Sequence, residues 1–74
     1  MDTQKTTIRD ARIAAELSQR ELADMSCLSV PVISRMETGK PVNKASILHV
    51  CRVLGIDFSN VVGSTAAPAR KGRP

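Results

Sequence analysis

Apolar residues recur along this chain at three- and four-residue spacings, in short runs separated by polar residues that suit helix caps. Thr7-Ile8-Arg9-Asp10 has capping-box spacing, and an alanine-rich segment runs from it to Glu16. Ser18-Gln19-Arg20-Glu21 is a better box: the serine oxygen can accept from a first-turn amide while Glu21 reaches back. A second helix follows to about Met25. Ser29 caps a third that reaches Glu37, with Gly39 as a left-handed stop. Asn43 caps a fourth, carrying Ile47, Leu48, Cys51 and Leu54 at helical spacing and closed by Gly55. Asp57 caps a last short turn through Val62, and Gly63 ends it. The pattern predicts an all-α domain of five short helices over residues 1–63.

Proline inside a helix costs about 3 kcal/mol, so Pro31 needs placing. With Ser29 as the cap, Pro31 falls in the first turn, where its missing N–H has no intrahelical partner to lose. It therefore marks where the third helix begins. Between the second and third helices, Leu22 and Ala23 fall on one inner face, Leu28 ends the turn, and Ile33 and Met36 form the facing pair. Two helices meeting steeply over a short turn need one near contact without a large side chain, and Ala23 supplies it. This small-residue, turn, apolar-pair pattern is a helix-turn-helix signal.

At 74 residues the chain holds one domain at most. Phe58 is its only aromatic residue, so the core rests on Leu, Ile, Val, Met and Ala, which suits packed helices better than a sandwich of sheets. Cys27, Cys51 and His49 are too few and wrongly spaced for a structural zinc; a disulfide between the cysteines is possible, but small buried thiols are the simpler reading. His49 has no carboxylate at helical spacing beside it, and Cys51, two residues on, points to a different face, which argues against an enzyme and makes His49 a structural or surface residue. No catalytic residue, metal ligand, cofactor or small-molecule ligand is expected. There is no signal peptide and no apolar run of membrane-spanning length, so a cytoplasmic protein is expected.

The net charge of +4 is unevenly placed. Residues 1–25 are close to balanced. Residues 26–52 carry Arg35, Lys40, Lys44 and Arg52 against Glu37 alone, and the end of the chain adds Arg70, Lys71 and Arg73. Phosphate binding wants such a concentration, although a solvated basic face has the same composition. After Gly63 the composition shifts to "STAAPARKGRP", without a large apolar residue, and residues 64–74 read as a disordered basic tail.

From Ile8 to Val62 the chain resembles the phage-repressor/Cro family, the xenobiotic-response-element type of helix-turn-helix, carried by "LSQRELA", "ISRMETGK" and "LGIDFSNVVG" in order. The resemblance implies a compact five-helix lambda-repressor-like domain whose third helix enters the major groove of double-stranded DNA, with a homodimer on a two-fold operator. Gln19 matches a phosphate-contacting glutamine, and Ser18 is a cap first and a phosphate contact second. Arg12 and Glu37 match an ion pair between the first helix and the end of the third. Thr38, Lys40 and Asn43 match backbone-contacting positions.

Cys27 occupies a turn position where glycine is common, implying either a strained positive φ costing about 1 kcal/mol or a slightly different turn. Lys44 stands where relatives often place an apolar residue, and either covers the core edge or points to DNA. Val30 and Pro31 stand where polar base readers usually sit. Neither side chain can donate or accept, but apolar groups can pack on thymine methyls. Ser29 and Ser34 can bond a base or phosphate, and Arg35 can grip either guanine or a phosphate. The expectation is a sequence-specific regulator, repressor-like, with thymine-leaning half-sites. The competing class is a helix-turn-helix scaffold, such as an antitoxin or adaptor module, with Val-Pro-Val in a patch for a protein partner. Phe58, Val61 and Val62 either seal the core or supply the dimer contact. "RKGRP" resembles the Gly-Arg-Pro core of an AT-hook, with an unspecific basic tail as the plainer reading.

Overall fold

The computed structural model describes residues 5–67. Four α-helices run over Ile8–Ala14 (α1), Gln19–Met25 (α2), Val30–Glu37 (α3) and Lys44–Leu54 (α4). Their caps stand where the polar spacing put them. Thr7 accepts from the Asp10 amide, Ser18 and Glu21 form the full reciprocal box, and Asn43 accepts from the Ala45 amide. Ser29 occupies the cap position of α3 without a side-chain capping bond, and Pro31 lies in that helix's first turn.

The four helices end alike. Glu16, Cys27, Gly39 and Gly55 have φ of 62°, 57°, 83° and 73°, the left-handed conformation that turns a chain off a helix. In each case the next residue donates its amide to a carbonyl five positions back: Leu17 to Arg12, Leu28 to Ala23, Lys40 to Arg35 and Ile56 to Cys51. Leu17, Leu28 and Ile56 then pack against the core, so these stops also aim an apolar side chain inward. Gly39 and Gly55 adopt this backbone freely, whereas Glu16 and Cys27 hold it against the clash of a Cβ.

Two expectations are corrected. The fifth element is not an α-helix but a three-residue 3-10 turn, Phe58–Asn60, capped by Asp57 through the Ser59 amide. The chain cannot continue as a helix because its backbone pairs with the N-terminal segment: Thr6 donates to the Asn60 carbonyl at 2.8 Å and Val62 to the Thr6 carbonyl at 2.8 Å. Nor is the domain wholly helical. Pro41–Val42 (β1) and Thr65–Ala66 (β2) pair in parallel, Pro41 opposite Thr65 and Val42 opposite Ala66. Ala67 donates to the Val42 carbonyl at 2.7 Å, and the Ser64 hydroxyl donates to the Met36 carbonyl at 3.0 Å. The chain therefore does not leave the fold at Gly63; Ser64–Ala67 stay on it. The remainder of the expected tail, residues 68–74, lies outside the described residues.

The core is aliphatic. Ile8, Leu22, Ala23, Ile33, Met36, Val42, Ile47, Val50 and Cys51 are buried, so every helix and β1 contribute. Each large member removed from water stabilises the fold by about 1.5–3 kcal/mol, a sizeable share of what so small a domain holds. On α4 the inward set is Ile47, Val50 and Cys51; Leu48, which has helical spacing with them, faces out. Lys44 covers the core edge, its ammonium 5.3 Å from the centre of the Phe58 ring. Both cysteines are free, and only Cys51 is buried. Burial, and then the charge of Asp57, push its thiol above the ordinary 9.0. Cys27 is exposed on its turn.

Because the Cys27 side chain is exposed while its backbone is left-handed, Cys27→Gly should stabilise the domain by about 0.5–1 kcal/mol. Thermal unfolding should show a rise in Tm of about 2–8 °C, and an unchanged or lower Tm would contradict the strain.

Candidate nucleic-acid interface

The sequence of α3, Val30-Pro-Val-Ile-Ser-Arg-Met-Glu37, alternates between two environments at helical spacing. Ile33 and Met36 are fully buried against α2, where Leu22 and the small Ala23 receive them. The side chains of Val30, Pro31 and Arg35 are exposed, with Ser34 half-buried between them and Val32 packed against the core edge. Positions 30 and 34, and 31 and 35, are four apart, so these residues form one outward face. Ser29 is exposed at its start and Thr38 at its end. That face is apolar at the amino-terminal end and cationic at the other.

A polar linkage sets how α3 sits. Arg12 on α1 places Nε 2.6 Å from Oε2 of Glu37, the last residue of α3, and its NH2 donates to Oε1 at 3.3 Å. Its NH1 donates to the Leu17 carbonyl at 2.9 Å, tying the guanidinium to the joint before α2. The side chains are only 13% and 5% exposed, so water screens the pair poorly. Gln19, the first residue of α2, donates through Nε2 to Glu37 Oε1 at 3.0 Å. The ion pair that the resemblance implied is present. It has a third member that helical spacing does not reveal, since Gln19 and Glu37 meet only once the helix-turn-helix closes. One amide hydrogen and the carbonyl of Gln19 stay free of this bond, beside Ser18, whose oxygen serves the cap.

The loop after α3 brings further polar groups to the same end. Thr38 donates its hydroxyl to the Ser34 carbonyl at 2.9 Å and remains exposed. Lys40 and Asn43 are exposed, and Arg35 NH2 lies 3.4 Å from the Pro41 carbonyl, so the arginine leans over the start of β1. Asn43 uses its oxygen as a cap, which leaves its amide group available as a donor. Elsewhere, Phe58 and Val61 are half-buried against the core, and Val62, 43% exposed, is the most open of the three. His49 is a surface residue. Among the described residues no group of three His, Cys, Asp or Glu side chains is placed to hold a metal ion, and no helix is long and apolar enough to cross a membrane.

Two short helices packed together over a tight turn with Cys27 left-handed, the second presenting an exposed face, define a small helix-turn-helix domain. The family comparison agrees: the helix-turn-helix family model matches residues 8–60, and the chain belongs to that family, in its Cro/repressor, xenobiotic-response-element branch. The family is a DNA-binding one. Neither the curated proteins nor the solved structures gave a significant match.

Removing Glu37 strands the Arg12 charge in a poorly hydrated site. Glu37→Ala should therefore destabilise the domain by about 3 kcal/mol, Arg12→Ala by at least as much, and Gln19→Ala by about 1 kcal/mol. Chemical denaturation of the three variants checks this order. Equal losses for Gln19→Ala and Glu37→Ala would mean that the ion pair does not dominate.

Proposed function

We propose that the chain is a sequence-specific transcriptional regulator, repressor-like, that inserts α3 into the major groove of its operator as a homodimer. The observation that carries this reading is the outward face of α3. Val30, Pro31, Ser34 and Arg35 stand out from a helix whose opposite side is fully buried, with Lys40 and Asn43 at its far end. A helix held so firmly by its inner face presents its outer one in a single orientation, as base reading requires.

In this reading Arg35 takes guanine or a phosphate, Ser29 and Ser34 bond bases or phosphate, and Val30 and Pro31 pack on thymine methyls. Backbone contacts come from Gln19, Ser18, Thr38, Lys40 and Asn43. Gln19 then serves twice, one amide hydrogen on Glu37 and the other toward a phosphate, so the phosphate contact and the orientation of α3 are coupled through one side chain. The exposed Val30 and Pro31 also fit a second reading, in which the apolar tip of α3 docks on a protein.

Selection from random duplexes, followed by a salt titration on the selected site, decides between the two. Several phosphate contacts require a steep loss of affinity with salt. Arg35→Ala should weaken binding about tenfold or more and relax preference at one position of each half-site. Absence of binding to any duplex at low salt would overturn the regulator reading and leave the protein-docking one.

The homodimer is proposed to place half-sites about one helical turn apart, with Val62 and the neighbouring Phe58 and Val61 at the contact. Since Val61 and Phe58 also pack on the core, Val62→Asp is the cleaner probe. Sedimentation should show weaker self-association with folding retained, and a folded variant that associates like the wild type removes this surface from the contact.

A further inference from the structure

Two of the charges on α1 stand the wrong way round for a lone helix. A helix dipole favours an anion in the first turn and a cation at the end. Yet Arg9 is exposed in the first turn and Glu16 is exposed just past the last. Glu16 also holds a left-handed backbone, φ 62°, where a side chain is strained and glycine is not. Among the described residues Arg12 and Glu37 form the sole ion pair, so Arg9 and Glu16 both lack a partner there.

Between these two charges α1 carries a ridge beside a groove. Ile13 is 52% exposed on a helix whose Ile8 is fully buried. Next to it runs an open groove of about 580 Å³, lined on α1 by Asp10, Ala11, Ala14 and Ala15, with Leu54 and Ile56 across from them. The groove follows from the three alanines, whose side chains stop short of the surface that longer ones reach. Ile13 stands about 60° around the helix from Asp10 and about 100° from Ala14, so ridge and groove lie side by side. A surface of this form is complementary to its own copy turned end for end, each ridge entering the other's groove. Charge selects that orientation. An antiparallel pair of helices, each about 10 Å long, sets Arg9 of one copy against Glu16 of the other at both ends. A parallel pair would set arginine against arginine and glutamate against glutamate.

We propose that α1 is a self-association surface on which a second copy of this chain docks antiparallel. Ile13 of each copy lies in the groove between Asp10 and Ala14 of the other, and Arg9 and Glu16 pair reciprocally at the ends. The contact uses no residue of the α3 face and none of Phe58, Val61 and Val62. It stands apart from the DNA-binding reading and adds to it a way of joining copies that leaves the exposed residues of α3 free.

The test is sedimentation of the full chain without DNA, in the Val62→Asp background, where the surface proposed above is disabled. This parent should dimerise reversibly as its concentration rises. Ile13→Ala should weaken the dimer about tenfold and Ile13→Asp about a hundredfold, since the second puts a charge into an apolar contact. Arg9→Glu and Glu16→Arg should each weaken it about tenfold, because like charges then meet at both ends. An equimolar mixture of those two variants should recover to within about threefold of the parent, with both attractions restored in the mixed dimer. Recovery also shows that both variants fold, and added salt should narrow the charge effects. A parent that stays monomeric at millimolar concentration, or isoleucine variants that associate like the parent, would overturn the α1 contact. A mixture no tighter than its separate components would overturn the antiparallel pairing. Neither outcome bears on binding to duplexes, which is measured separately.

Discussion

Arg12, Glu37 and Gln19 form the linkage on which the working geometry rests. Glu37 closes α3, Arg12 comes from α1 and Gln19 opens α2, so one carboxylate joins the three helices whose relative placement makes a helix-turn-helix. The apolar core alone would allow these helices to slide, because aliphatic contacts are non-directional. A carboxylate that receives a guanidinium on both oxygens and an amide on Oε1 as well has far fewer acceptable arrangements. The linkage thus acts as a registration device, and the Leu17 carbonyl on the same guanidinium extends it to the joint between α1 and α2.

The outward face of α3 gains its meaning from this rigidity. Val30 and Pro31 contribute no hydrogen bond, yet a proline in the first turn fixes φ and stiffens the end of the helix that would enter a groove. Arg35 stays mobile enough to lean on the Pro41 carbonyl while remaining exposed. The face combines a stiff apolar lead with one flexible cation, and the surrounding loop supplies donors that carry no base information. Such a surface separates affinity from discrimination between different residues.

Much of this was legible in the sequence, for reasons that are local. Ser18, Thr7, Asn43 and Asp57 are short polar side chains before apolar runs, and capping depends on neighbours within three residues. Gly39 and Gly55 announced two helix ends. Glu16 and Cys27 close helices in the same left-handed way without a glycine; Cys27 was flagged only by the resemblance and Glu16 by nothing, while Leu17 and Leu28 behind them pack on the core. Leu48 misled, since its spacing fits the inner face of α4 and only the packing of the other helices turns it out. The strand pairs were illegible for a stronger reason: Thr6 meets Val61, and Val42 meets Ala66, across stretches no local pattern spans. Of the candidate interface, the residues of α3 and its loop were readable one by one, whereas the bond from Gln19 to Glu37 and the exit of the chain beside β1 required the fold.

Those two parallel pairings also bear on the order in which the domain assembles. Each helix carries its own cap and stop and can begin to form from contacts close in the chain. Joining Thr6 to Val61 spans all four helices and joining Val42 to Ala66 spans α4 and the 3-10 turn, with the entropy of a long closure weighed against a few hydrogen bonds. The edges should therefore close last and open first, with amides at Thr6, Val62 and Ala67 expected to exchange before those between Leu22 and Met36. Opening of the Ser64–Ala67 pairing would leave the bonds within the helix-turn-helix intact.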